Sequence, residues 1–139
     1  MIVITVPAPL WRRLTAALYD MLLLLSLWMA ADLMMLIAGE LAGLKLSAGF
    51  TRALLFLLSL GFFGWFWTHG GQTLGMRVWR LQLRRINGSR LNWPTAMLRF
   101  ALFITLGLSV LWCWTNPSRR AWHDRLSETE VLLLPKPEN

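Results

Sequence analysis

Acids are scarce in this chain, with seven Asp or Glu against fourteen Lys or Arg, and only two of those fourteen are lysine. Cysteine and histidine are scarcer still, at one and two residues. A lone Cys113 cannot close an intrachain disulfide, and its place inside an apolar run suits a small buried hydrophobe. His69 and His123 are too isolated to argue for a metal, and no cluster of metal-ligand spacing exists. A Ser/His/Asp arrangement is also missing, and Gly70–Gly75 lacks the spacing and the Lys-Ser/Thr ending of a phosphate-binding loop. These absences predict a protein that is not an enzyme and uses no metal and no cofactor.

What is abundant is apolar surface. The chain is 56% hydrophobic and 15% charged, with mean hydropathy +0.50. A soluble domain carries about a quarter charged residues. The excess falls in long runs, which is the pattern of a membrane protein. Most of the nine tryptophans stand at the edges of those runs (Trp11, Trp65, Trp67, Trp93, Trp112, Trp114), where an indole buries its ring and keeps its N–H wet. A net charge of +7 with pI near 11.3 would suggest nucleic acid in a soluble protein. Here the arginines flank apolar segments and no nucleic-acid-binding motif is visible, so topology and anionic lipid account for them.

The expected fold is an all-α polytopic membrane protein in one domain spanning residues 1–139. Two transmembrane helices are predicted, over 14–38 and 50–67. About 20 apolar residues cross the hydrocarbon, so the first has room to tilt. The first run is longer than a secretory signal's apolar core and carries Asp20, which fits an uncleaved anchor. Gly61 and Gly64 share a face of the second helix, through close helix approach or plain tolerance of glycine. The segment 69–92 holds Arg77, Arg80, Arg84, Arg85 and Arg90 and no acid. The positive-inside rule makes it cytoplasmic, along with the N-terminus, in a bacterial inner (plasma) membrane, and leaves Gly39–Gly49 outside. Val78–Ile86 alternates in part and Asn87-Gly88 follows, so a small cytoplasmic β-hairpin is expected, with an amphipathic interfacial helix as its rival.

A third membrane segment covers 93–115, with Asn92 as N-cap, Pro94 in the first turn and Arg99 near its entrance. As a single crossing it would put Arg119, Arg120 and Arg125 outside, against the charge rule. As a re-entrant hairpin breaking near Leu106–Ser109 it would keep both ends cytoplasmic. The polar tail 116–139 contains the apolar run Val131–Leu134, which could add a strand to the proposed hairpin.

Arg13 and Asp20 are seven residues apart, which returns them to within about 20° on one helical face. A long arginine and a water can link them across the roughly 10 Å of axis between. A carboxylate at a membrane-helix centre costs about 2.5–3.5 kcal/mol on insertion scales, less toward the interface. Asp20 therefore reads either as a proton- or cation-binding group or as half of a structural ion pair. Asp32 lies about 120° around the helix from Asp20 and near its far end, where a carboxylate is cheap. Asp124 sits among Arg119, Arg120, His123 and Arg125, which taken alone is an ordinary interfacial cluster.

Three stretches together, Trp11-Arg-Arg-Leu-Thr-Ala-Ala-Leu-Tyr-Asp20, Gly70-Gly-Gln-Thr-Leu-Gly-Met-Arg77 and Arg119-Arg-Ala-Trp-His-Asp-Arg125, resemble the RDD family. The resemblance runs from about Leu10 to Val131. It implies that Arg13 is the family's arginine and that Asp20 and Asp124 are its two aspartates. It also implies that Gly71, Gln72, Thr73, Gly75 and Arg77 form the motif after the second membrane helix. Family members often carry Lys where this chain has Met76. The implied protein is a small integral membrane protein, with transport as the suggested role.

Two functions are expected on these grounds. One is a transporter subunit for a proton, a monovalent cation or a small solute. Two acids against one base suit a cation, and three segments are too few to enclose a path without a homo-oligomer or a membrane partner. The other is a non-catalytic adaptor or assembly factor whose Arg80, Arg84 and Arg85 bind anionic lipid or a protein.

Overall fold

The computed structural model describes residues 6–105 and 122–135. Its order is β1 (Val6–Pro7), α1 (Leu10–Ala42), α2 (Ala48–His69), α3 (Leu74–Val78), β2 (Leu81–Arg85), α4 (Trp93–Thr105), α5 (Trp122–Leu126) and β3 (Thr129–Leu133). The fold is mostly helical with one small antiparallel sheet. The third apolar segment beyond Thr105 lies outside the described residues, with Cys113, Arg119, Arg120 and the suggested break near Leu106–Ser109.

α1 and α2 are long and apolar enough to cross a membrane, and their apolar side chains are not spent on a core. In the most apolar 18-residue stretch only 6% of α1 and 17% of α2 is buried. Leu22, Met29, Leu33, Met34 and Leu36 of α1 all stand exposed. A soluble core helix would bury such a row, so this surface requires lipid or a partner. α2 starts at Ser47, whose hydroxyl accepts from the Phe50 amide at 3.2 Å. Midway along the pair, Trp28 Nε1 donates to Ser59 Oγ at 3.0 Å, a polar link between α1 and α2. Bonds of this kind are worth about 0.6 kcal/mol inside a membrane. Ser59→Ala is accordingly expected to shift thermal unfolding in detergent only slightly, and a large drop would show that Ser59 does more than bridge.

α4 packs on α2 near its start. A Cβ built on Gly64 would lie 2.6 Å from the Trp93 ring, whereas at Gly61 nothing among the described residues stands within 4 Å. Of the two glycines, Gly64 is where another helix comes close. Asn92 caps α4, its Oδ1 accepting from the Thr95 amide at 3.2 Å.

The sheet closes the end of the bundle where α1 begins, α2 ends and α4 begins. Its order is β1-β3-β2, all antiparallel, with Val6 opposite Leu133, Leu83 opposite Val131 and Arg84 opposite Glu130. Leu81, Leu83, Val131 and Leu132 are buried, and Arg84 pairs with Glu130 at 2.9 Å on a partly exposed face. Pro7 lacks an N–H and is tolerated because β1 is an edge strand. The expected β-hairpin is corrected here. β2 exists, but its partner is the tail strand β3, and Asn87-Gly88 makes only a local turn in which the Gly88 amide reaches the Arg85 carbonyl at 2.8 Å. The residues after that turn are Ser89 and Arg90, which offer no apolar row, whereas Val131 and Leu133 supply one opposite Leu83 and Leu81.

β2 and β3 are entered alike. In each case a five-residue helix leads through two residues into a five-residue strand, and the second linking residue, Arg80 or Glu128, takes a left-handed φ of 55° or 52°. β3 thereby brings the tail to the same sheet as β2, the strand that precedes α4 in the chain.

Candidate functional site

The buried side chains of α1 are Arg13, Ala16, Asp20 and Leu24, a single stripe at helical spacing. The two charged members are held by different partners. Arg13 Nη2 donates to Asp124 Oδ2 at 2.5 Å, and Arg99 Nη1 on α4 donates to Asp124 Oδ1 at 2.5 Å. Arg99 Nη1 also donates to Thr129 Oγ1 at 2.7 Å, and that hydroxyl lies 2.8 Å from Ser127 Oγ. Asp124 is completely buried between the two guanidinium groups, so α1, α4 and α5 meet at one carboxylate, and Arg99 links it to β3 through Thr129. The Arg99 guanidinium also lies 5.3 Å from the centre of the Trp67 ring.

Asp20 takes its hydrogen bonds from neutral donors. The Thr73 hydroxyl donates to Oδ2, and the Gly75 amide donates to Oδ1 at 2.8 Å. Thr73 is also the N-cap of α3, its Oγ1 accepting from the Met76 amide at 3.2 Å. The carboxylate thus sits on the first turn of a helix, where backbone N–H groups lack intrahelical partners and the local field favours an anion.

The loop between α2 and α3 is shaped to reach both neighbours. Gly71 has φ +67°, and its carbonyl accepts from the Leu83 amide at 2.7 Å; a Cβ there would lie 2.3 Å from the Leu83 carbonyl. Gln72 Nε2 donates to the Leu81 carbonyl at 2.6 Å. Gly75 lets α3 lie directly on α1, since a Cβ would stand 2.3 Å from the Ala16 carbonyl and 2.9 Å from Asp20. The motif straps β2 to α1, with Asp20 as the fastening point. Arg77 is exposed beside it, and Met76 is buried.

Asp20, Arg13 and Arg99 border one cavity of about 200 Å³, walled also by Ala16, Ala17, Phe63, Trp67, Thr73, Met76 and Phe103. Arg13, Asp20 and Asp124 are therefore brought to one end of the bundle. Three points of the sequence reading change. The partner of Arg13 is Asp124, while Asp20 is bound to Thr73 and Gly75. Arg99 joins the set, so two bases face two acids and the expected surplus of negative charge is gone. Trp67, read as an interfacial marker, is buried against Arg99. The missed signal was Arg99 itself, an arginine seven positions into an apolar run, where an intramembrane cation needs a partner. Asp32 is exposed near the other end of α1.

Of the proposed contact residues, Arg84 is engaged by Glu130, and Arg80 and Arg85 are half-buried at the sheet; Arg77 and Arg90, outside that set, are exposed.

A small helical protein with two apolar helices of spanning length, closed at one end by a sheet over a buried arginine–aspartate cluster, is a membrane-type protein. The chain belongs to the RDD family, whose model matches residues 7–128. No curated protein and no solved structure matches it.

Proposed function

We propose that the protein is a multi-pass protein of a bacterial plasma membrane, with its N-terminus in the cytoplasm. In this reading it is a subunit of a transporter for a proton, a monovalent cation or a small solute, and Asp20 is the ligand-facing group. The third apolar segment would enter the membrane and return, putting α5, β3 and the basic 69–92 loop in the cytoplasm together. One observation carries the reading. Asp20 lies on a cavity wall and, among the described residues, has a hydroxyl and an amide as its hydrogen-bond partners, on a helix with a long row of exposed apolar side chains. A buried carboxylate without a cationic bond partner is expensive unless it serves a ligand or a proton.

Asp124 has a different job here. Its two guanidinium partners hold the tail, α1 and α4 together, which makes it the structural member of the three signature residues. Three membrane segments are too few to enclose a path, so transport needs a homo-oligomer or a membrane partner.

Purified protein in proteoliposomes should show ion- or solute-dependent flux that falls at least tenfold in Asp20→Asn while the variant still inserts and folds. Flux at the level of empty liposomes, or unchanged in Asp20→Asn, would remove the transport reading. The adaptor reading draws on a different observation, the exposed Arg77 and Arg90 in a loop without acids. Neutralising both should release a bound partner from detergent-solubilised membranes, and retention of every partner would count against it.

A further inference from the structure

We propose that the seam between α1 and α3 binds an anionic phospholipid, its headgroup flanked by Arg12 and Arg77 and an acyl chain lying along α1. The proposal stands apart from the transport reading and rests on the membrane placement of α1 and α2.

α3 lies antiparallel to the start of α1. The Gly75 amide is bonded to Asp20, and four residues later the Trp79 ring meets the Trp11 ring edge to face, with centres 5.5 Å apart. α3 therefore climbs from the level of Asp20 to the first turn of α1. Trp11 is exposed and Trp79 half-buried. Indoles so placed mark the boundary between hydrocarbon and water.

Below Trp11, Leu14, Leu18, Leu22 and Leu25 all stand exposed. Steps of three and four residues keep them on one stripe of the helix. From Leu14 to Leu25 the stripe runs about 17 Å at 1.5 Å per residue, close to half of the roughly 30 Å hydrocarbon core. It is as long as one leaflet is deep. On α3, Leu74 and Val78 are exposed one turn apart.

The top of this apolar surface is basic. The Arg12 guanidinium lies over the Trp11 ring, 4.9 Å from its centre. Gly75 and Trp79 face α1, so at 100° per residue Arg77 stands on the opposite side of α3. Arg77 is exposed there, its Nη2 3.9 Å from where a Cβ on Gly70 would stand. The two arginines thus flank Leu74 and Val78. Neither has an acidic partner among the described residues, and no acid occurs in the sequence between Glu40 and Asp124. An anion complements that charge. A free phosphate would meet only the arginines, whereas a phospholipid also covers the leucine stripe, and that second contact selects the lipid. α3 carries Thr73 and Gly75 as well, so a lipid clamped over it bears on the turn that holds Asp20.

The test uses purified full-length protein in detergent, with retained lipid counted by native mass spectrometry and stability read as melting temperature. Each arginine near an anionic surface contributes about fivefold in affinity. Phosphatidylglycerol should therefore be retained at least tenfold better than phosphatidylcholine of the same acyl chains, and should raise the melting temperature. Arg12→Gln combined with Arg77→Gln should erase most of that preference. Arg90→Gln, an exposed arginine of the same loop beyond the Asn87-Gly88 turn, should leave it unchanged. Val78→Asp, at an exposed position between the two arginines, should also weaken phosphatidylglycerol and covers the case in which the double variant does not fold. Equal retention of the two lipids would overturn the proposal, as would a preference that survives the double variant or falls equally in Arg90→Gln. Glycerol 3-phosphate matching the melting shift of phosphatidylglycerol would assign the arginines to a free anion and overturn the lipid. Protein that stays in solution without detergent or lipid would remove the membrane placement and this proposal with it. Protein recovered in membranes with no lipid preference would overturn the lipid site alone.

Discussion

Asp124→Asn is expected to lose most of the folded protein from the membrane. The substitution leaves Arg13 and Arg99 buried with the shared negative charge gone, and breaking a buried pair by removing one partner costs about 3–5 kcal/mol. Whole-protein stabilities are about 5–15 kcal/mol, so that loss is a large share of the total. Here one carboxylate on α5 serves two arginines on α1 and α4, and Arg99 also holds Thr129 of β3, so the damage should reach the tail strand and hence the sheet. Abundance in membranes and the thermal transition in detergent measure it directly. The loss of that shared charge also makes a sharper prediction. Replacing all three members with apolar residues of similar size (Arg13→Met, Arg99→Met, Asp124→Leu) should recover much of the stability that the single change loses. A triple variant as unstable as Asp124→Asn, or a single variant that melts like the parent, would contradict the assignment of Asp124 as the clasp.

The second large effect is expected from a single methyl group at position 75. A Cβ there would meet the Ala16 carbonyl at 2.3 Å, and that atom is α1 backbone rather than a flexible side chain. The helix cannot yield cheaply, so α3 has to move. When it moves, the Gly75 amide leaves Asp20 Oδ1 and the Thr73 hydroxyl is drawn off Oδ2. Overpacking of this sort costs about 1–3 kcal/mol, and the loss of both Asp20 bonds adds to it. Gly75→Ala should therefore lower the melting temperature clearly and Gly75→Val should prevent folding. Gly61→Ala, with open space around it, should be close to silent. Equal behaviour of Gly61→Ala and Gly75→Ala would mean that α3 does not lie on α1 as described.

Much of this architecture is legible in the residues. The two long apolar runs announce α1 and α2 by length, and Asn92-Trp93-Pro94 announces the start of α4 through its cap and proline. The seven-residue spacing puts Arg13 and Asp20 on one stripe. What that spacing cannot convey is which neighbour each side chain meets, because partners come from segments 53 to 111 residues away. The hairpin was misread for the same reason. Asn87-Gly88 is a strong local turn signal, but the apolar row that Leu81 and Leu83 need is supplied from the tail, and local turn chemistry yields to it. Arg99 was legible in principle: its position inside an apolar run demanded an acid nearby, and Asp124 is that acid. Thr73 is harder to see, since a threonine opening a short helix looks like an ordinary cap, and here its hydroxyl caps α3 and binds Asp20 at once.

The buried cluster requires the tail to lie on the same side as the start of α1, because only then do Asp124 and Arg13 meet. A reporter joined after Asn139 tests this most directly, with a fluorescent protein that matures only in the cytoplasm and an alkaline phosphatase active only outside it. The fluorescent fusion should be bright and the phosphatase fusion silent, matching the same two reporters placed at the N-terminus. An active phosphatase at the tail together with a cytoplasmic N-terminus would separate Asp124 from Arg13 by the membrane and dismantle the buried cluster.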